Sequence, residues 1–279
     1  MTSAPRRPEV VRGPLFVDAH AHFHRVFELP RFLSAAARNV GEAAIAGGLP
    51  EGPVGVLLLA EGRDEQAFER LQAGHSGVPD WSIESTAEPE SLLVRESGRL
   101  ALMAMAGRQI VTSEGVEVLA LLSAEPLTDG LSLTETMAEI QRVDAVPVLP
   151  WGFGKWTLRR GSLVASLLRT GDGHVFLGDN GGRPGSAPTP SLLVEARRRS
   201  VPVLPGSDPF PFRDEQSRIA AYGFIADVTI DADRPAAGLR AWLRALDGSP
   251  PAYGRLETLG RFAWNQVRIQ WRKRTGRAG

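Results

Sequence analysis

The chain has 279 residues, of which 43% are apolar, which suits one large domain or two small ones with a substantial core. Its 32 lysines and arginines balance 32 acidic residues, so the whole molecule has no strong electrostatic attraction to nucleic acid or acidic lipid. Because it has no cysteine, disulfides, thiolate metal sites and cysteine nucleophiles are excluded. No signal peptide and no apolar stretch long enough to cross a bilayer is recognised, so a cytoplasmic enzyme is expected.

Buried strands and helices alternate along most of the chain. The first unit is the apolar run "PLFVDAH", followed by a stretch of helical spacing that ends at Gly47 and Gly48. Similar apolar runs predict further strands at 53–62, 116–123, 145–150, 174–180, 201–208 and 223–231. Helical patterns follow them at 63–74, 131–144, 157–171, 189–200 and 235–246.

Residues from Trp81 onward depart from this alternation, because short runs separated by turn residues predict an antiparallel hairpin insertion over about 81–113. Elsewhere, strands alternating with helices favour a parallel sheet, and about seven such units favour a closed barrel. The expected fold is therefore α/β, a distorted parallel (β/α)7-type, TIM-like barrel over about 14–235. A single domain spanning 1–279 is expected, with a C-terminal helical extension over about 236–275.

Three of the five histidines lie at alternate positions in "FVDAHAHFH", two residues after Asp18. Residues i and i+2 of an extended segment project to the same side, so His20 and His22 can hold one ion. Ala21 between them is too small to obstruct this arrangement. The strand is expected to bend before His24, which is therefore predicted to serve a neighbouring site as a base or as a ligand of a second ion.

Carboxylates are predicted to join these histidines, because the working groups of parallel α/β barrels lie where strands end. Glu117 stands early in an otherwise apolar strand, and Asp179 and Asp208 end two later strands. Together with the imidazoles they predict a site for zinc, manganese or iron. The alternatives are that Glu117 pairs with an arginine such as Arg108, and that the aspartates only favour turns.

The loop "PWGFGKW" is the second informative stretch. Backbone N–H groups at the start of the following helix, together with Lys155, can bind an anion, and Arg159 or Arg160 can assist. Trp151 and Trp156 are expected to wall a substrate pocket, since aromatic side chains often line such sites. The alternative is a rigid connection whose tryptophans plug the end of the barrel.

Asn180 and Arg183 in "DNGGRP" are further candidates for contacts to a polar or anionic substrate. Of the other histidines, His75 is expected to lie in solvent and His174 to be structural. No nucleic-acid or membrane partner is clearly indicated.

The C-terminal stretch 255–279 is basic and partly amphipathic, which leaves contact with nucleic acid or a membrane surface open. The favoured interpretation is a final helix docked through Leu259, Phe262 and Trp271, with a loose arginine tail.

Three stretches together resemble motifs of the polymerase and histidinol phosphatase (PHP) family: "VDAHAHFH", "EGVEVLALL" and "VPVLPGSDPF". Members of that family have a distorted barrel of about seven strands, bind up to three metal ions and mostly hydrolyse phosphate esters. The resemblance implies a first metal ion held by His20, His22, Glu117 and Asp208.

The chain departs from the family pattern at two places. Trp151 stands where a histidine–proline pair is usual, and Phe210 stands where a ligand of the third metal is usual. The resemblance therefore implies about one divalent ion, either zinc, manganese or iron, beside two altered sites.

The expected function is hydrolysis, most readily of phosphate esters, by a metal-activated water. Asp179 or His24 is expected to act as a base, while Lys155 and nearby arginines hold a small anionic substrate. Two alternatives remain open: a binding or regulatory protein of the same fold that has lost turnover, and an amidohydrolase-like enzyme that cleaves C–N or C–O bonds.

Overall fold

The computed structural model describes residues 9–49, 52–74, 78–170 and 175–275, so His75 and His174 lie outside the described residues. The described chain has fourteen strands: β1 (Val10–Arg12), β2 (Leu15–Ala21), β3 (Val54–Leu59), β4 (Trp81–Ser85), β5 (Ser91–Glu96), β6 (Arg99–Met105), β7 (Gly107–Val111), β8 (Glu117–Leu121), β9 (Val146–Pro150), β10 (Phe176–Asn180), β11 (Val203–Gly206), β12 (Tyr222–Ala226), β13 (Thr229–Asp231) and β14 (Ala252–Gly254). Its α-helices are α1 (Leu29–Ala46), α2 (Ala67–Ala73), α3 (Leu133–Arg142), α4 (Leu158–Thr170), α5 (Ser191–Arg198), α6 (Pro235–Arg244) and α7 (Leu259–Thr275), and a 3₁₀ helix spans Arg213–Arg218.

Local sequence signals set the ends of several helices. Helix α3 begins at a capping box, in which Ser132 accepts a hydrogen bond from the Glu135 backbone and Glu135 accepts one from the Ser132 backbone. Helix α1 has a proline in its first turn and ends at Gly47. The next residue, Gly48, has a φ of 64°, a conformation that glycine adopts without steric cost.

The strands form three sheets, and none of them is closed among the described residues. Their strand orders are β1-β13, β11-β10-β9-β8-β7 and β14-β12-β2-β3-β6-β5-β4. The expected distorted parallel (β/α)7-type barrel is therefore wrong. Alternating strands and helices favoured parallel pairing throughout, but β8 pairs antiparallel with both β7 and β9, and β12 pairs antiparallel with β2. Hydrophobic runs locate strands but do not encode the direction in which they pair.

The region expected as an inserted hairpin forms strands β4 to β7. β4 and β5 pair antiparallel, as do β5 and β6, but β6 also pairs in parallel with β3. β7 joins the five-stranded sheet through β8. The segment is thus an integral part of both large sheets, because β6 pairs with β3 in one sheet and β7 pairs with β8 in the other. The expected domain boundaries stay predictions.

The core lies in layers on either side of the two large sheets. One hydrophobic cluster contains residues of both sheets, including Val17, Val148 and Leu204, so the two sheets share a core. Phe16 points to the other side of β2 and belongs to a second cluster with helix α1. A third cluster covers the outer face of the five-stranded sheet with helices α3, α4 and α5. No described helix has the length and apolar character needed to cross a membrane.

The ends of β2 and β11 lie close together, and this approach builds the site. A Cβ added to Gly206 would come within 2.5 Å of the His20 backbone nitrogen, so glycine is required there. Two residues later, the backbone N–H of Asp208 donates to the His20 carbonyl at 2.8 Å. Asp208 has a φ of 43°, in the left-handed region that aspartate tolerates better than most residues. The backbone therefore fixes Asp208 beside His20.

Candidate metal centre

The first group of metal-ligating side chains consists of His20, His22 and Asp208. The Nε2 atoms of the two histidines are 3.0 Å apart, and both rings are buried. Asp208 Oδ1 lies 3.7 Å from His20 Nε2 and 3.4 Å from His22 Nε2. The three ligand atoms thus converge closely enough to hold one metal ion.

The chemistry of these donors fits a divalent cation. Two imidazole nitrogens that bind the same zinc ion tetrahedrally at about 2.0–2.1 Å are about 3.3 Å apart. The His20 and His22 Nε2 atoms, 3.0 Å apart, are close to this separation. Two facing ring nitrogens bring their lone pairs together unless one of them carries a proton. A metal ion can take the place of that proton. Among the described residues, His22 Nδ1 is also one of the few buried polar atoms that has no hydrogen-bond partner.

The pKa shifts of the three side chains indicate that the group attracts a positive charge. Burial lowers the pKa of His20 to about 4, against the opposing charge of Asp208, so this ring stays neutral and able to ligate. Burial also disfavours charge on His22, but Asp208 and Glu65 raise its pKa to about 9. Burial alone would raise the pKa of Asp208, but the two histidines hold it well below its usual range. A proton therefore occupies the group when no other cation does.

Asn180 holds the Asp208 carboxylate in place. Its side-chain amide donates to Asp208 Oδ2, and its own oxygen accepts a hydrogen bond from the Gly182 backbone at 2.6 Å. Asn180 was predicted to contact substrate, and it does line the cavity described below. The hydrogen bond to Asp208 shows that it also orients a potential metal ligand.

Asp18, two residues before His20, does not face the group. Its carboxylate accepts hydrogen bonds from the backbone of His20 at 3.0 Å, Ser207 at 2.8 Å and Ala220 at 2.9 Å, and from the Ser207 hydroxyl. These donors satisfy it completely. Asp18 thus ties β2 to the residues after β11, which supports the position of Asp208.

The structure does not bring Glu117 to the histidines. Its carboxylate accepts hydrogen bonds from Lys155 Nζ and, at 3.2 Å, from Gln109 Nε2. The other end of the Gln109 amide lies 3.1 Å from His20 Nε2, so this amide separates Glu117 from the ring. Neither group of potential ligands among the described residues includes Glu117. In the structure Glu117 is the partner of Lys155, and its role as a metal ligand stays a prediction.

Lys155 lies beside the group, on the loop before α4. Burial lowers its pKa, but the charges of Glu117 and Asp208 raise it above the usual value, so the side chain is an ammonium ion. Of the two assisting arginines, Arg160 donates to the Gly154 carbonyl at 2.9 Å and Arg159 is exposed. Lys155 is therefore the cation of this loop that lies nearest to Asp208.

Asp179 and Arg183 are buried together, away from the metal ligands. Arg183 makes two hydrogen bonds of 2.9 Å to the Asp179 carboxylate, and the Tyr222 hydroxyl adds a third at 3.0 Å. The roles of Asp179 as a base and of Arg183 as a substrate contact stay predictions, and this pairing does not support them. Each residue neutralises the other, and neither lines the cavity at Asp208.

A cavity of about 760 Å³ opens beside Asp208. Its lining includes Glu117, Lys155, Asn180, Asp208, Phe153, Phe210, Phe212, Gln266 and Gln270. Trp151 and Trp156, predicted to wall a substrate pocket, instead pack against the hydrophobic cluster under α3 to α5. Phe153 of the same loop, together with Phe210 and Phe212 of the loop after Asp208, lines the cavity in their place.

Helix α7 forms one wall of this cavity and is docked mainly by arginines. Arg268 makes hydrogen bonds of 2.7 and 2.8 Å to Asp214 and lies 3.8 Å from the centre of the Phe212 ring. Arg261 donates to buried Glu215 at 2.8 Å. Of the residues expected to dock the helix, Leu259 and Trp271 are 62% and 59% exposed, whereas the Phe262 ring contacts Phe153 with centroids 5.3 Å apart. The final helix therefore holds the 210–218 segment, which follows directly after Asp208.

A second group consists of His22, His24 and Glu65. His24 Nδ1 lies 2.7 Å from Glu65 Oε1, and His24 Nε2 lies 2.9 Å from the Pro209 carbonyl oxygen. Glu65 is a potential ligand that the sequence analysis missed. A signal was available, since Glu65 follows β3, the strand that pairs in parallel with β2. Side chains that follow the ends of adjacent parallel strands can lie close together, as Glu65 and His24 do.

Comparison with known proteins identifies a fold but no family. No family model and no curated protein matches the chain. The crystal structure of PsfC from Pseudomonas syringae PB-5123 is similar, with 14% identity, a TM-score of 0.52, and coverage of 93% of this chain and 98% of that chain. The chain therefore shares the mixed α/β fold of PsfC, and at this identity the likeness extends to the fold alone.

Two structures of endonuclease Q are also similar, at lower scores. The lesion-specific endonuclease PfuEndoQ from Pyrococcus furiosus shows 14% identity, a TM-score of 0.48, and coverage of 86% of this chain and 56% of that chain. A complex of endonuclease Q with a 27-mer duplex that has an abasic lesion at the active site shows 15% identity, a TM-score of 0.43, and coverage of 85% and 57%.

The 27-mer duplex is the substrate of that endonuclease. For this chain, the expected restriction to a small anionic substrate without a clear nucleic-acid partner is withdrawn. The fold and the site together define a mixed α/β protein with two adjoining groups of histidine and carboxylate ligands that can hold divalent metal.

Proposed function

We propose that the chain is a metal-dependent hydrolase of phosphate esters, with a divalent ion held by His20, His22 and Asp208. The observation that carries this proposal is the position of Asp208, which belongs to the metal-ligating group and also lines the cavity beside Lys155. A mixed set of nitrogen and oxygen donors suits zinc, manganese or iron. The motif resemblance supports a second proposal, that the chain is a diverged relative of the PHP family, without the barrel expected from it.

His20, His22 and Asp208 would hold the ion, which would supply a bound water of lowered pKa and a positive charge for a phosphoryl oxygen. The protein's own residues supply the rest of the chemistry. The Lys155 ammonium faces the cavity and can bind a phosphoryl oxygen, stabilising the negative charge that develops there. Glu117 keeps Lys155 charged and directs it, since the two form an ion pair.

Other residues position these groups and shape the cavity. Asn180 orients Asp208 through its amide, and Gln109 links the His20 ring to Glu117. Phe210 and Phe212 form an apolar wall, which limits the access of bulk water to the reacting group. Asp179 has no part in this mechanism, because its carboxylate is already neutralised by Arg183.

The test is hydrolysis of bis(p-nitrophenyl) phosphate and p-nitrophenyl phosphate by protein loaded with zinc, manganese or iron. Asp208→Asn removes a ligand that contributes charge and should reduce turnover by more than the roughly 10- to 100-fold typical of a group that only orients a ligand. Asp247→Asn makes the same chemical change at an exposed position and should leave turnover unchanged.

Two results would contradict the proposal. Metal-loaded, folded protein without phosphoesterase activity on either compound or on a DNA oligonucleotide would favour a binding protein that has lost turnover. Cleavage of amides or lactones in place of phosphate esters would favour the amidohydrolase-like alternative.

A further inference from the structure

Both ring nitrogens of His24 face hydrogen-bond acceptors. Nε2 lies 2.9 Å from the Pro209 carbonyl oxygen, and Nδ1 lies 2.7 Å from a Glu65 carboxylate oxygen. A neutral imidazole carries one N–H, and neither a carbonyl nor an ionised carboxylate can donate. One of these two contacts therefore needs a positive charge that the neutral ring does not supply, either a second proton or a metal ion.

His22 presents the same feature on the adjoining side. Its Nε2 faces His20 and Asp208, while its Nδ1 is buried, has no hydrogen-bond partner and lies 3.8 Å from Glu65 Oε2. The His22 and His24 rings are stacked, with centroids 4.9 Å apart and planes within 12°. Each ring thus directs its Nδ1 at the same carboxylate.

The remaining contacts hold these donors in a ligating arrangement. The Pro209 carbonyl takes the His24 Nε2–H, which leaves Nδ1 as the free ligand atom, as outer hydrogen bonds do for metal-bound histidines. The Gly62 backbone N–H donates to Glu65 Oε2 at 3.0 Å and orients the carboxylate. Because Pro209 follows Asp208, one loop contributes to both groups.

We propose that His22 Nδ1, His24 Nδ1 and Glu65 form a second divalent-metal site, and that the His22 ring is shared between the two sites. Its Nε2 serves the first site and its Nδ1 serves the second. Filling both sites requires the ring to lose its last N–H proton to solvent, so the two ions are bridged by an imidazolate. The bridging rests on the proposed first site, whereas binding at His24 and Glu65 does not.

The first measurement is metal stoichiometry. Folded chain is dialysed against zinc and then analysed by mass spectrometry for metal per chain. The native chain should hold two ions, Glu65→Gln should hold one, and Glu69→Gln, a change at an exposed residue of α2, should still hold two. Circular dichroism checks that each variant folds, and His24→Asn replaces Glu65→Gln if the latter does not.

The second measurement tests the bridge directly. Native chain loaded with two copper(II) ions should show fewer unpaired spins by electron paramagnetic resonance than copper ions by analysis, because an imidazolate couples them. Glu65→Gln should show one spin for its one copper ion. Two ions with two uncoupled spins would overturn the shared ring.

The outcomes separate this proposal from the proposed function. One ion in the native chain, retained in Glu65→Gln and lost in Asp208→Asn, would overturn the second site and leave the first intact. No ion in the native chain would overturn both sites together.

Discussion

Asp179 lies near the end of β10 and Asp208 follows the adjacent parallel strand β11, yet the two carboxylates have opposite surroundings. Asp179 receives two hydrogen bonds from the Arg183 guanidinium and one from Tyr222. The charge of its carboxylate is therefore neutralised by a side chain of the protein itself. Asp208 faces the ring nitrogens of His20 and His22, where the compensating charge is a proton or another cation. A carboxylate at a strand end is thus structural where the chain neutralises it, and becomes a candidate ligand where it faces imidazoles.

The largest effect expected from this comparison is on stability. Asp179→Asn leaves the buried Arg183 guanidinium without its counter-ion and should lower the free energy of unfolding by about 3–5 kcal/mol. Urea unfolding measures this, and the loss should be the same with zinc and with a chelator, because Asp179 holds no metal. A loss that appeared only in the presence of zinc would place Asp179 in the metal site and break the comparison.

A smaller effect is expected at Lys155. Lys155→Gln removes the ammonium beside Asp208 and should reduce kcat/KM for a phosphate ester about ten- to a hundredfold, the equivalent of about 1.5–3 kcal/mol. Metal content should not change, and the cost in stability should stay below about 1 kcal/mol, because the pair with Glu117 is partly exposed. Arg159→Gln, an exposed change in the same segment, is the matched control. Equal losses in both variants would show that Lys155 has no particular role.

Much of the secondary structure could be predicted from the sequence, whereas the assembly of the sheets could not. Apolar runs located the strands from β2 to β12, since burial on both faces leaves a continuous apolar signature. The direction in which β8 and β12 pair depends on contacts between distant segments, and no local pattern records it. The expected barrel failed for this reason.

The site divides in the same way. His20 and His22 were predicted to act together because alternation along a strand is a local property, and Asp208 because it ends a strand. Glu65 was missed because it lies between β3 and α2, where an acid is ordinary. Glu117 was assigned to the metal because its position in the strand was known, but the intervening Gln109 side chain was not. The sequence shows the order of residues along the chain, but it does not give the distances between residues on different strands.

The docking of α7 shows the same limit. Its apolar residues predicted the contact, whereas Arg261 and Arg268 make it by pairing with Glu215 and Asp214. Arginines on a helix usually face solvent. Their role in docking α7 could not be predicted, because the acids with which they pair lie far away in the chain.

The central claim, that His20, His22 and Asp208 bind a divalent metal ion, is tested most directly by equilibrium dialysis against zinc. Native chain, Asp208→Asn and Asp179→Asn are compared in parallel after removal of metal with a chelator. The native chain and folded Asp179→Asn should bind zinc with equal affinity, while Asp208→Asn should bind at least about tenfold more weakly, a loss of about 1.4 kcal/mol. Native chain that binds no zinc, manganese or iron, or Asp208→Asn that binds as tightly as native chain, would contradict the claim.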